Sequence, residues 1–193
     1  MTGAEYKRRR RTLLKTIGPN GLAILPAARE TIRNRDVHHP FRQSSDFAYL
    51  TGFPEPDAFA VFAPRRKEGE FILFCRPRDP EREQWDGTRI GVEGATTHFG
   101  ADQAHPLAEL ETVMPTLIDG RTRLYYPVGT EDALDARIMG WVRQVRAKAR
   151  TGAIAPETFV TIESVLHEQR LIKSQAELAT MRRAARISAK AHR

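Results

Sequence analysis

Apolar residues along this chain follow two kinds of spacing. In some segments they recur every three or four positions, which is typical of an amphipathic helix, and in others they form short continuous runs, which are typical of buried strands. The helical spacing predicts helices at 4–17, 106–118 and 131–149, and a shorter one through 165–169. The continuous runs predict strands at 22–25, 58–63, 70–75, 124–126 and 159–162.

Strands that alternate with helices predict an α/β layered domain. The basic turn at 64–69 joins two predicted strands closely enough for a hairpin, so we expect a mixed sheet rather than a purely parallel one. The segments 26–39 and 76–105 follow neither spacing, and we interpret both as irregular and rich in loops. The glycines of 18–21 and 91–94 lead us to interpret these two sequences as turns.

The segment 40–58 combines signals for the start and the end of a short helix. Ser44 or Ser45 can cap the helix, and Asp46 in its first turn suits the positive end of the helix dipole. Gly52 can end the helix in the left-handed conformation, and the prolines that follow prevent its continuation.

The composition is that of an ordinary soluble globular chain. Hydrophobic residues make up 40% and charged residues 28% of 193 positions, which is enough for one sizeable core. No apolar run approaches the roughly 20 residues that span a bilayer, so we expect no membrane segment. The single cysteine, Cys75, excludes an internal disulfide, and its apolar surroundings predict a packed thiol. A lone reduced cysteine suits a cytoplasmic protein.

The net charge of +7 is concentrated at the two ends of the chain. Residues 1–11 carry +4 and residues 170–193 carry +6, which leaves −3 on the remainder. The four arginines at 8–11 lie largely outside the apolar face of the first predicted helix. Nucleic-acid-binding domains usually spread their positive charge over one continuous face. We therefore interpret both ends as solvated helix faces, an interpretation that requires the two ends to lie apart.

Two segments carry a resemblance to a known family. RQSSDFAYLTGFPEP at 42–56 resembles the signature of the N-terminal domain of Xaa-Pro aminopeptidase (aminopeptidase P), in the creatinase and prolidase superfamily. HEQRLIKSQAE at 167–177 is similar to the junction between that domain and the catalytic domain, and it lies about 115 residues downstream. The resemblance implies a three-layer α/β domain with a mixed sheet of about six strands and a ribonuclease-H-like motif.

The last segment of the chain predicts a helix in need of a partner. Ser174 and Glu177 form a capping box, and an apolar stripe follows at Leu178, Met181, Ala185 and Ala189. The resemblance implies that 1–170 is the N-terminal domain and that 171–193 is the junction and first helix of an absent catalytic domain of the pita-bread fold. We expect the chain to be the N-terminal piece of a longer protein, and pairing of two copies through this helix is the alternative.

The resemblance implies a metallopeptidase that removes the residue preceding proline. In the family two metal ions, usually manganese, are bound by two Asp, two Glu and one His of the catalytic domain. No position here matches those ligands, so we assign no catalytic residue, no metal ligand and no cofactor to this chain. His167 and Glu168 lack the second histidine of a zinc helix, and His98, His105 and His192 lack partners at ligand spacing. We interpret the acidic and arginine-rich stretch 78–89 as an exposed loop.

Four residues are assigned roles outside catalysis. Trp85 is similar to a tryptophan of bacterial aminopeptidase P that crosses an oligomer interface and contributes to a neighbouring substrate pocket; packing over its own domain edge is the alternative. Arg42 and Asp46 can pair four residues apart, and Tyr49 can anchor the signature loop through its hydroxyl. We predict that these three residues are structural or interdomain.

The predicted function is that of a non-catalytic domain that supports oligomerisation and substrate access in an Xaa-Pro aminopeptidase. The partners implied are the catalytic domain, other copies of the chain in a homo-oligomer, and Xaa-Pro peptides. Two alternatives remain: a stand-alone module that binds peptides or proteins, and a nucleic-acid binder that uses the terminal arginines. Binding to a basic or proline-containing partner would favour the first, and salt-sensitive retention on DNA or RNA would favour the second.

Overall fold

A mixed six-stranded sheet forms the centre of the fold in the computed structural model, which describes residues 2–192. The strands are β1 (Gly21–Pro26), β2 (Ile32–Asn34), β3 (Val37–His38), β4 (Phe59–Phe62), β5 (Phe71–Cys75), β6 (Gln103–Pro106), β7 (Arg123–Tyr126) and β8 (Thr158–Thr161). The helices are α1 (Gly3–Ile17), α2 (Ser45–Thr51), α3 (Pro80–Asp86), α4 (Gly91–Phe99), α5 (Leu110–Ile118), α6 (Asp132–Ala147), α7 (Ile162–Leu171) and α8 (Gln175–Ala191). The strand order in the main sheet is β6-β5-β4-β1-β7-β8, and β2 pairs with β3 in a separate hairpin.

The strands of the main sheet run in two directions. β1 is parallel to β7, β7 to β8 and β5 to β6, whereas β4 is antiparallel to both β1 and β5. Five strands therefore run in one direction and only β4 runs in the other. This arrangement confirms the predicted mixed sheet and the β4–β5 hairpin, and it brings the carboxyl ends of five strands to the same edge.

The core consists of two layers of side chains, one on each face of the sheet. Successive residues of β1 point to opposite faces: Leu22 and Ile24 belong to one buried cluster, and Ala23 and Leu25 belong to the other. Helices α1, α2, α4 and α7 cover the face of Ala23, and α5 and α6 cover the face of Leu22. The continuous apolar run in β1 thus reflects burial on both faces, as expected for a central strand.

Two segments contain more structure than the sequence predicts. The stretch 26–39 forms the β2–β3 hairpin, whose residues are all exposed, so no hydrophobic periodicity marks it. The stretch 76–105 contains α3, α4 and β6 instead of loops. The sequence 91–94 is the first turn of α4 and not a separate turn. Glycine is required there because Gly91 has φ +69° and a Cβ would meet Arg78, while a Cβ at Gly94 would meet Ile90.

The limits of the longer helices differ slightly from their predicted positions. The segment predicted as one helix at 106–118 begins with a 3₁₀ turn at Leu107–Glu109, and α5 follows from Leu110. Pro115 lies inside α5 and is buried, and the helix continues past it to Ile118. The helix predicted at 131–149 ends at Ala147 and is followed by a second 3₁₀ turn. Such shifts are ordinary for helix ends.

Candidate interdomain site

Gln43 connects three parts of the chain through one carboxamide group. Its Oε1 accepts hydrogen bonds from the backbone N–H of Ala28 at 2.8 Å and of Ser44 at 2.9 Å. Its Nε2 donates to the carbonyls of Phe53 at 3.2 Å and Glu55 at 2.8 Å. The side chain thereby holds the segment after β1, the start of α2 and the segment before β4 together. Buried backbone N–H and C=O groups need hydrogen-bond partners, and Gln43 supplies them for these four groups.

The two ends of α2 are formed differently. Ser44 occupies the cap position, as predicted, but within residues 2–192 its hydroxyl makes no capping hydrogen bond. At the other end, Gly52 adopts the predicted left-handed conformation with φ +66°, and its N–H donates to the carbonyl of Ala48 at 3.0 Å. A Cβ atom at Gly52 would lie 2.5 Å from the ring of Tyr6. This position therefore requires glycine for its backbone conformation and for the close approach of α1.

Asp46 pairs with a distant arginine and not with Arg42. Its carboxylate accepts a hydrogen bond from the guanidinium of Arg170, near the end of α7. The predicted pairing with Arg42 is wrong because Arg42 precedes the helix, and a spacing of four residues brings side chains together only when both lie on a helix. Arg42 lines a surface cleft beside the same junction. Asp46 therefore ties the signature segment to α7.

Tyr49 also contacts α7. Its hydroxyl donates to the backbone carbonyl of Gln169 at 3.3 Å, and the amide Nε2 of Gln169 donates to the carbonyl of Arg9 at 2.8 Å. Burial raises the pKa of the Tyr49 hydroxyl above its ordinary value. The hydroxyl of Tyr49 thus anchors the signature segment, as predicted, and its partner is a residue 120 positions downstream.

Arg9 and Arg10 point into the domain and cap α2. Arg9 donates to the carbonyl of Tyr49 at 2.9 Å, and Arg10 donates to the carbonyl of Leu50 at 3.1 Å. Only 3% of Arg9 and 7% of Arg10 is exposed, so half of the arginines at 8–11 are buried and not solvated. Positive charge is favourable at the carboxyl end of a helix, and the Arg9 guanidinium also stacks 4.1 Å from the Tyr49 ring centre.

The first turn of α8 contacts α1 at this site. Arg9 forms an ion pair with Glu177 at 3.2 Å, and Ser174 and Glu177 form the predicted capping box. The two basic ends of the chain therefore meet, contrary to our interpretation that they lie apart. The arginine that joins the ends is itself buried and bonded to protein groups, so Arg9 is not available to a phosphate.

Most of α8 and the segment before it are exposed. The predicted stripe begins at half-buried Leu178, and no residue of α8 is buried within the described chain. Four large apolar residues are exposed here: Leu171 by 67%, Ile172 by 86%, Met181 by 54% and Ile187 by 61%. The junction is thus fixed to the domain at one turn and presents an apolar surface beyond it.

Residues 2–192 contain no group of three or more His, Cys, Asp and Glu side chains that could hold a metal ion. His105 does have an acidic partner, contrary to prediction, because its Nδ1 lies 2.9 Å from the carboxylate of Glu109. Burial raises the pKa of the Cys75 thiol to about 12, so the thiol remains protonated and packed. In the described part of the chain no helix is long and apolar enough to cross a bilayer.

The stretch 78–89 is largely helical. Arg78 forms a hydrogen-bonded ion pair with Glu83 across the first turn of α3, which lowers the pKa of that carboxyl to about 2. Trp85 lies on α3 and is 89% exposed. Its exposure does not fit the alternative in which it packs over the edge of its own domain.

The family model described as "Aminopeptidase P, N-terminal domain" matches residues 6–125. This chain belongs to the aminopeptidase P N-terminal domain family. It is 35% identical to the Xaa-Pro aminopeptidase of Escherichia coli over 97% of this chain and 43% of that protein, and 30% identical to Xaa-Pro aminopeptidase 3 of Dictyostelium discoideum over 95% of this chain and 34% of that protein. The chain spans less than half the length of the curated relatives it matches.

Solved structures of aminopeptidases agree with this membership. The aminopeptidase of Pseudomonas aeruginosa superposes with a TM-score of 0.97 at 52% identity, and the match covers all of this chain and 43% of that one. The aminopeptidase P of E. coli superposes with a TM-score of 0.93 at 35% identity. That match covers all of this chain and 44% of the E. coli chain. These matches extend beyond residues 6–125 and include α8.

Proposed function

We propose that this chain is the non-catalytic N-terminal domain of an Xaa-Pro aminopeptidase, where it supports oligomerisation and limits access of substrate to the catalytic cleft. The complete enzyme would act in the cytoplasm and remove the residue preceding proline from short extended peptides. The observation that carries this proposal is the match of nearly the whole chain to less than half of several Xaa-Pro aminopeptidases. In this proposal 1–170 form the domain, and 171–193 form the junction and the first helix of the catalytic domain.

The metal chemistry of the proposed enzyme lies outside this chain. Two metal ions, manganese according to the resemblance, would supply an activated water for hydrolysis. Because no set of ligands converges among residues 2–192, we assign no catalytic step to them. Their contribution would be to position the catalytic domain and to bring other copies of the chain together.

The contacts at the junction support an interdomain role. Arg9 and Glu177 fix the first turn of α8 to α1, and Asp46 and Arg170 fix α7 to α2. A helix with an exposed apolar side is stabilised when a neighbouring domain covers that side. The remainder of the catalytic domain is the partner that we propose for the exposed residues at 171–187.

We expect the isolated chain to show no Xaa-Pro peptidase activity. The measurement is the hydrolysis of an Xaa-Pro tripeptide with added Mn²⁺, for the chain alone and for the complete enzyme. Hydrolysis is monitored through the release of the first amino acid. We expect release only by the complete enzyme, because the chain brings no group of metal ligands together. A chelator-sensitive rate in the chain alone, comparable to that of the complete enzyme, would contradict the proposal.

We expect Trp85→Ala in the complete enzyme to lower kcat/KM for Xaa-Pro peptides by about tenfold, because an exposed tryptophan that enters a neighbouring pocket behaves as an interface anchor. Gln84→Ala is the matched control, since Gln84 is the exposed neighbour on α3. Light scattering of both variants separates a pocket role from an assembly role. Unchanged kinetics together with an unchanged oligomeric state would remove Trp85 from the proposal.

A further inference from the structure

A cleft of about 640 Å³ opens at the edge of the sheet where the parallel strands end. Arg76 and Pro77 directly follow β5, and Leu107 directly follows β6. Arg82 from α3 and His38 from the β2–β3 hairpin line the sides. Ligands of open α/β sheets commonly bind beyond the carboxyl ends of the strands, and this volume lies in the range of small-molecule sites.

Two arginines in this cleft have donors without acceptors. The Nε atoms of Arg76 and Arg89 are buried, and neither has a hydrogen-bond partner among residues 2–192. Arg89 is only 9% exposed, and its guanidinium lies 3.9 Å from Asp79 and 3.7 Å from Asp86, which are ion-pair distances too long for hydrogen bonds. Buried donors are nearly always paired in folded proteins. The Nε–H groups of these two side chains therefore lack an acceptor within the described chain, and a ligand can supply one.

The shape of the guanidinium groups, and not the net charge of the lining, favours a carboxylate ligand. The lining of the cleft contains three arginines and three carboxylates, so its formal charges balance; the carboxylates are Glu30, Asp57 and Asp86. A balanced lining gives no net electrostatic preference between a monoanion and a dianion. A carboxylate carries one charge, and its two oxygens match the planar fork of a guanidinium.

We propose that this cleft binds a carboxylate group through the guanidinium groups of Arg76 and Arg89. The carboxylate can come from a small free acid or from the carboxyl end of a short peptide. Binding satisfies the donors that the fold leaves unpaired. The test measures binding to the chain and not activity, because residues 2–192 bring no group of metal ligands together.

The test follows the arginine Nε–H resonances in ¹H–¹⁵N spectra of the chain while a ligand is added. The probes are acetate, the tripeptide Ala-Pro-Ala, its C-terminal amide, and inorganic phosphate. We expect acetate and the free tripeptide to shift the resonances of Arg76 and Arg89, which are assigned by their loss in Arg76→Gln and Arg89→Gln. Tighter binding of the tripeptide than of acetate assigns the site to peptide ends, and equal binding assigns it to small acids.

The variants test the same site independently. Arg89→Gln is expected to weaken carboxylate binding by about tenfold or more, as is usual when a charged hydrogen bond is lost. Arg123→Gln is the control, because Arg123 is exposed at the opposite end of its strand, and it should leave binding unchanged. If Arg89→Gln does not fold, Arg89→Lys keeps the charge but loses the fork, and it should also weaken binding. Unmoved Nε–H resonances with all probes, or phosphate binding as tight as carboxylate binding, would overturn the proposal.

Discussion

Replacing Arg9 with methionine is expected to lower the free energy of unfolding by about 3 kcal/mol, because a buried and bonded charge is removed while its partners remain. Arg9 is 3% exposed, donates to the Tyr49 carbonyl, stacks on the Tyr49 ring and pairs with Glu177. Methionine replaces much of the packing volume but none of the donors. Urea unfolding monitored by circular dichroism measures the change.

Arg8→Met is the matched control for Arg9. Arg8 is adjacent in sequence, and its side chain is 57% exposed. Its hydrogen bond to Glu5 holds the pKa of that carboxyl near 2, but exposed ion pairs contribute only about 0–1 kcal/mol. Amide hydrogen exchange at Ser174–Glu177 gives a second readout, because only Arg9→Met should release the first turn of α8. Equal losses of stability in both variants would contradict the structural role of Arg9.

Replacing Gly52 with alanine is expected to lower the free energy of unfolding by about 2–3 kcal/mol. The left-handed conformation at φ +66° is unfavourable for any residue with a Cβ, and that Cβ would lie 2.5 Å from the Tyr6 ring. The displaced ring would lose its packing between α1 and α2. Thermal unfolding of the variant and of the unchanged chain gives the difference.

Gly129→Ala separates the two contributions at Gly52. Gly129 has a similar φ of +73°, but a Cβ there would meet no atom within 4 Å. Its substitution should therefore cost only the backbone strain, about 1–2 kcal/mol. In a Tyr6→Ala background the cost of Gly52→Ala should fall to the same value. A cost at Gly52 that does not depend on Tyr6 would show that contact with α1 plays no part.

Much of the fold could be predicted from local patterns. The spacing of apolar residues marked α1, α6 and the buried strands, since burial on one or two faces leaves a periodic signal. Gly52 and the capping box at Ser174 and Glu177 were recognisable because each acts within a few residues of itself. The exposed β2–β3 hairpin and α3 left no such signal, as neither buries a side chain.

The contacts of the interdomain site could not be predicted in the same way. Asp46 and Arg170 are 124 positions apart, and Gln169 and Arg9 are 160 positions apart. Local reasoning assigned Asp46 to Arg42, the nearest arginine in the sequence, because spacing along a helix predicts contacts only between near neighbours. The same reasoning placed Arg9 in solvent, since arginines are mostly exposed.

The amino-acid sequence by itself determined the α/β class, the helix ends of the signature segment and the family membership, because all three depend on residue types at short, regular spacing. Only the tertiary structure decided which side chains meet: that Arg9 and Arg10 turn inward to cap α2, that Asp46 and Tyr49 hold α7, and that among residues 2–192 the buried Nε of Arg89 has no hydrogen-bond partner. The physical reason is that such contacts arise when distant elements pack against the two faces and edges of the sheet.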